Sequence, residues 1–105
     1  MSLIVEKQHE KKCAVIRIKG ILDITTIEDF VTQIEVLPEV HSLILDFSNL
    51  EFIDSTGIGA IMELIYLAKE NNFSIELQGM DEGIKQIFEV VGLFTIMKVL
   101  KREGA

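Results

Sequence analysis

Apolar and polar residues change their period several times along the chain, and each change predicts a boundary between elements. Residues 3–7 and 13–19 read as extended. In the second run Ala14, Ile16 and Ile18 fall on one face, with Cys13, Val15, Arg17 and Lys19 on the other. The polar His9-Glu10-Lys11 stretch between them suits a hairpin connection. After Gly20 the spacing becomes helical: Ile27, Phe30, Val31 and Ile34 recur at i, i+3, i+4 and i+7. Thr25 and Glu28 are spaced as a capping box at its start, and Pro38 closes it. Residues 42–47 form a short apolar run of the kind found in central strands.

The longest helical run follows, with Ile58, Ile61, Met62 and Ile65 in one stripe widened by Leu64 and Ala68, ending near Asn71-Asn72. Alternation returns over residues 73–77. Asp81 then suits the cap of a helix carrying Ile84, Ile87, Phe88 and Val91, stopped by Gly92. Residues 95–100 read as a last strand. The expected order is β-β-α-β-α-β-α-β, and helices that follow central strands must cross back over the sheet. The expectation is an α/β fold with a mixed, partly parallel sheet backed by helices, in a single domain over residues 1–105.

Composition narrows the partners. Length fits one domain, and 49% hydrophobic residues spread evenly are enough for a core without any run of the ~20 apolar residues a spanning helix needs. The first residues lack the charged, apolar, small-residue order of a signal peptide, and the lone Cys13 cannot form an internal disulfide. A cytoplasmic location is expected. With a net charge of −7 and basic residues adjacent only at Lys11-Lys12 and Lys101-Arg102, neither nucleic acid nor an anionic membrane is an expected partner. A protein with a basic or mixed face is.

The least structural-looking segment joins the apolar strand to the longest helix. Asp54, Ser55 and Thr56 all favour helix N-termini, and Gly57 and Gly59 follow within the first turns, each at a cost of about 1 kcal/mol against Ala. One reading is an ordinary cap, with glycines that let the helix lie close on the sheet. A phosphate loop is poorly supported, because no third glycine and no Gly-Lys-Ser/Thr follows. The other reading is a switch. An exposed serine at a helix start can accept a phosphoryl group, adding about −1.5 to −2 charges that the helix dipole tolerates. Together with Asp54 and Glu51, that charge would repel a docked partner without refolding the chain.

No other residue competes with this segment. His9 and His41 have no ligand partners at metal spacing, and Cys13 has no base beside it. Met62, Met80, Met97 and Phe94 are expected to pack. No acid–base pair is recognisable, so no catalytic residue, metal or cofactor is assigned and an enzyme is not expected.

Phe52-Ile53-Asp54-Ser55-Thr56-Gly57-Ile58-Gly59 resembles the Asp-Ser-Ser/Thr-Gly-Leu/Ile-Gly signature of bacterial anti-sigma factor antagonists, which are single STAS domains. Gly20-Ile21-Leu22-Asp23 is similar to their Gly-Glu-Leu-Asp turn, and Val91-Gly92-Leu93-Phe94-Thr95-Ile96 to their late Gly-Leu-x-x-Ile segment. The resemblance implies partner switching in transcription regulation. The unphosphorylated protein binds an anti-sigma factor that is also a serine kinase, which frees the sigma factor. The kinase, using ATP and magnesium, then phosphorylates Ser55 and the complex parts; a protein phosphatase resets it. The implied docking face holds Asp23, Ile24 and Thr25 together with Asp54, Ser55, Thr56, Gly57 and Ile58. The alternative is a STAS scaffold or transport-associated module that binds without phosphorylation. The chain departs from the family pattern at Ile21, where Glu is usual, and in having no expected fourth helix. Thr56 places a second hydroxyl beside Ser55.

Overall fold

The computed structural model describes residues 2–35 and 40–103. Alternation builds the sheet from β1 (Leu3–Glu10), β2 (Cys13–Leu22), β3 (Ser42–Ile53) and β4 (Ser74–Gln78), ordered β1-β2-β3-β4. The first pair is an antiparallel hairpin, whereas β2/β3 and β3/β4 are parallel. A tight hairpin can join only antiparallel strands. The two parallel pairs are therefore bridged by α1 (Ile27–Glu35) and α2 (Ser55–Glu70), and α3 (Glu82–Val90) and α4 (Leu93–Glu103) follow β4. The expected mixed α/β sheet is observed. Pro38, expected to close the first helix, lies outside the described residues.

Register explains the core. Ala14 pairs with Leu43 and Ile16 with Leu45, so the inward residues of the two central strands line up and are fully covered. Phe30 of α1, Ile61, Leu64 and Ile65 of α2, and Ile84 and Phe88 of α3 complete this cluster. Phe88 sits at its centre, edge-on to Phe47 at 5.5 Å and to Phe94 at 6.2 Å between ring centroids. Such aromatic pairs contribute about 0.5–1.5 kcal/mol beyond burial itself. The opposite face of the sheet is polar at its centre: Arg17 pairs with Asp46 at 3.5 Å and donates to Gln8, and Lys19 pairs with Glu6 at 3.0 Å.

Three expectations are corrected. Residues 95–100, expected as a strand, belong to α4. Gly92 adopts φ +76° and ends α3, but its carbonyl then accepts the Ile96 N–H, so one residue closes one helix and opens the next. Leu93, Met97 and Leu100 form an i, i+4, i+7 stripe with Leu93 fully buried. The fourth helix expected to be missing is thus present. Secondly, β3 does not stop at Phe47 but runs to Ile53. A register shift opposite Arg17–Lys19 breaks its alternation at Ser48-Asn49, where the sequence reads as a strand end, and a second opposite Gly20–Ile21 breaks it again at Glu51-Phe52. Thirdly, Thr25 and Glu28 form no capping box: the Thr25 hydroxyl donates to Asp23 instead.

Phe88→Ala is expected to lower unfolding free energy by about 3–5 kcal/mol, since it empties the centre of the core. Val90→Ala, at a side chain 86% exposed, should stay within about 0.5 kcal/mol. Urea denaturation of the two variants checks the contrast.

Candidate docking site

Because β2 and β3 are parallel neighbours, the chain leaves both at the same edge of the sheet. Leu22 pairs with Ile53, so Asp23 and Asp54 emerge side by side from the ends of the two strands. In open α/β sheets, sites form outside the carboxyl ends of the strands.

The turn after β2 is organised by Asp23. Its carboxylate accepts from the Thr25 N–H at 2.9 Å and the Thr25 hydroxyl at 2.6 Å, and its carbonyl accepts the Thr26 N–H at 3.1 Å. This is an Asx-type turn, a local alternative to continuing the strand. Thr26 locks it from beneath: its hydroxyl accepts from the Asp23 N–H and donates to the Ile21 carbonyl. The Thr25 hydroxyl, followed by the amides of Thr25 and Thr26, holds the Asp23 carboxyl below the usual carboxylate range against the opposing effect of desolvation. The turn presents Ile24 outward, 71% exposed.

Asp54 joins this turn to α2. One carboxylate oxygen accepts the Gly57 N–H at 2.9 Å and caps the helix; the other accepts the Ile24 N–H at 3.2 Å. The Asp54 backbone N–H donates to Leu22, and its carbonyl accepts from Ile58. A single side chain thus fixes the two loops to each other. Gly57 lets them close. A Cβ there would lie 2.6 Å from the Leu22 carbonyl oxygen and 2.8 Å from Ile53 Cγ1, and a main-chain carbonyl cannot swing aside. Gly59 differs, since a Cβ there would meet nothing within 4 Å. Of the two glycines, only the first is required by packing.

Ser55 is the first residue of α2 and is exposed; Thr56 and Ile58 are half-buried and Gly57 is buried. The structure therefore brings together all eight residues expected at a docking face, the turn residues Asp23, Ile24 and Thr25 with the helix start from Asp54 to Ile58. Their accessibility differs. Ser55, Ile24 and Thr25 can be touched from outside, whereas Asp23 and Gly57 act beneath the surface. Sequence reasoning missed Phe52, which is 51% exposed beside this site. Its signal was available in the adjacent apolar pair Phe52-Ile53, because a strand that buries Ile53 points its neighbour the other way. Among the described residues no group of three or more His, Cys, Asp or Glu side chains is placed to hold a metal ion. No described helix is long and apolar enough to cross a membrane.

Comparison with known proteins gives a consistent result. The family model described as STAS domain matches residues 5–104. The anti-sigma F factor antagonist of Paenibacillus polymyxa is 24% identical over 106 residues, covering 98% of this chain and 91% of that protein. The structure of the anti-sigma factor antagonist SpoIIAA in its unphosphorylated form superposes with a TM-score of 0.74 at 22% identity, covering 86% of this chain and 82% of that one. The phosphorylated form of the Bacillus protein SpoIIAA gives 0.70 at 23% identity, covering 90% and 86%.

Two stability measurements test the local geometry. Gly57→Ala should destabilise by about 1–3 kcal/mol through overpacking against Leu22, whereas Gly59→Ala should stabilise by about 0.5–1 kcal/mol through helix propensity alone. Loss of stability in both variants would contradict the open space around Gly59. The second measurement concerns acid. Asp23 and Asp46 both titrate below the usual carboxylate range, Asp46 through the Ser48 hydroxyl, the Ser48 amide and Arg17. Both bind protons less readily folded than unfolded. The stability they contribute is complete above the unfolded value near pH ~4 and is lost as pH falls through their lower folded values. Urea midpoints followed from neutral to acid pH should therefore fall less steeply in Asp23→Asn than in the wild type.

Proposed function

We propose that this chain, which belongs to the STAS domain family, acts as an anti-sigma factor antagonist whose docking face is switched off by phosphorylation of Ser55. One observation carries the reading above the others: an exposed serine opens α2 beside a carboxylate that holds the Ile24 turn in the same surface. The names of the relatives support the activity, and the pair of SpoIIAA structures supports a phosphorylation cycle in a protein of this fold.

The proposed partner is an anti-sigma factor with serine kinase activity, met in the cytoplasm, with a phosphatase restoring the hydroxyl. In this reading the chain is the kinase's substrate and binding partner rather than a catalyst. Ile24 and Phe52 are the apolar anchors, large and solvent-facing in the free protein, and burial of such side chains dominates interface energy. Asp23 and Asp54 position the turn and the helix start, and Thr25, Thr56, Gly57 and Ile58 complete the face. Gly59 lies one helical turn beyond Ser55 on the same side of α2. With no side chain and nothing above it, it gives a partner's main chain room to approach. Phosphate on Ser55 stands at the positive end of the helix dipole, so the fold tolerates it. The partner does not: docking over that group would bury charge without a counter-ion, which is strongly unfavourable.

Intact-mass and fragment analysis after incubation with ATP, magnesium and a lysate of the source cells tests the acceptor. A single phosphate mapped to Ser55, retained in Thr56→Ala and absent in Ser55→Ala, is the expected result. An unmodified wild type, in a lysate whose kinase is active on another substrate, would sink the switch. Binding to the isolated kinase should persist in Ser55→Ala and weaken by roughly tenfold or more in Ser55→Glu, Ile24→Ala and Phe52→Ala. Gly59→Leu should weaken binding comparably while leaving the thermal midpoint unchanged or raised. Equal binding by Gly59→Leu would remove the close approach from the mechanism.

A further inference from the structure

A second concave surface lies at the other end of α2, independent of the docking face. Lys69 is fourteen residues beyond Ser55, about 21 Å along the helix axis. There the last turns of α2, the edge strand β4 and α4 enclose a groove of about 550 Å³, within the ~300–1,000 Å³ range of small-molecule sites. Its walls are apolar, with Ile65 of α2, Phe73 and Ile75 at β4, and Phe94 and Met97 of α4. It exists because residues 93–103 are helical.

Charge gives this groove a specific character. The chain carries 17 acidic residues against 10 basic ones, yet among the described residues the charged ones lining the groove are Lys69 and Lys98. Among the described residues neither lysine has a carboxylate within ion-pair distance; the pairs present are Arg17–Asp46 and Lys19–Glu6. A neutral apolar ligand would leave both ammonium groups unused, and a cation would be repelled. We propose that the groove binds a fatty carboxylate, with its alkyl chain between α2, β4 and α4 and its carboxylate at Lys69 and Lys98. The lysines hold the head group as point charges, and hydrocarbon burial against the aromatic and thioether side chains supplies most of the affinity, at about 0.8 kcal/mol per methylene.

Titration of the full chain with dodecanoate below its micelle concentration, followed by NMR, is the test. Saturable shifts at Phe73, Ile75, Phe94 and Met97, with Ile24 and Ser55 unmoved, are expected. Dodecanol and dodecyltrimethylammonium should bind more weakly than dodecanoate. Reversing both charges, Lys69→Glu with Lys98→Glu, should weaken dodecanoate by roughly tenfold at unchanged thermal midpoint. Should that variant fail to fold, Lys69→Gln with Lys98→Gln reads the same effect at smaller size. Any of four outcomes would overturn the proposal: no saturation, shifts centred elsewhere, indifference to both pairs of substitutions, or a dimer in which a second copy closes the groove.

Discussion

The parallel pairing of β2 with β3 is the constraint on which the rest of the molecule depends. It forces the chain to cross over through α1 rather than turn back directly, which puts a helix against the inward side chains of the sheet. It also brings the chain out of both strands at the same edge, so Asp23 and Asp54 become neighbours although thirty residues lie between them in the sequence. The Asp54 carboxylate can then serve the Ile24 and Gly57 amides at once. In an antiparallel pair the same two residues would stand at opposite ends of the sheet, and no single side chain could organise both loops.

That arrangement also bears on how a surface serine could act as a switch. The Asp54 carboxylate already accepts the Gly57 N–H, while Ser55 occupies the first helical position with its hydroxyl outside the core. Charge added at Ser55 would displace no packed side chain, because the residue is exposed. On the proposed reading, the effect of a phosphate would fall on whatever docks on the surface, where desolvation would magnify it. In that proposal the face carries one variable charge, and partner exchange needs no refolding of the chain.

The sequence disclosed periodic elements well and locally ambiguous ones poorly. Alternation over Cys13–Lys19 and the helical stripe through Ile61 and Ile65 each support a single period, and both are found. Residues 93–100 support two, because apolar residues at 93, 94, 96, 97, 99 and 100 satisfy a helical stripe and a two-sided strand alike. What decides is burial of Leu93 and the docking of α4 against α2 and α3, neither of which is local. The tail of β3 was hidden for a different reason: two register shifts disguise its alternation, so a strand reads as a loop. At the site, the signature residues were legible but their division of labour was not. Thr25 as a helix cap and Thr25 as a donor to Asp23 are equally good readings of the same letters, and only the packing beneath the turn selects the second.

Gly57 and Gly59 show how far a fold can explain its own sequence. Both weaken the first turns of α2 by about the same amount. Gly57 has its reason within the chain, for without it the Leu22 carbonyl and the Ile53 side chain would hold the helix away from the sheet and break the reach of Asp54 to Ile24. Gly59 has none there. Among the described residues nothing lies within 4 Å of where its Cβ would stand, no turn demands it, and alanine at that position would strengthen the helix. On the proposed reading, a residue that costs stability and meets no neighbour is kept for a partner outside the molecule. Its place one turn beyond Ser55 would put that partner on the same surface as the serine, where a main chain could come close only if no side chain stood in the way.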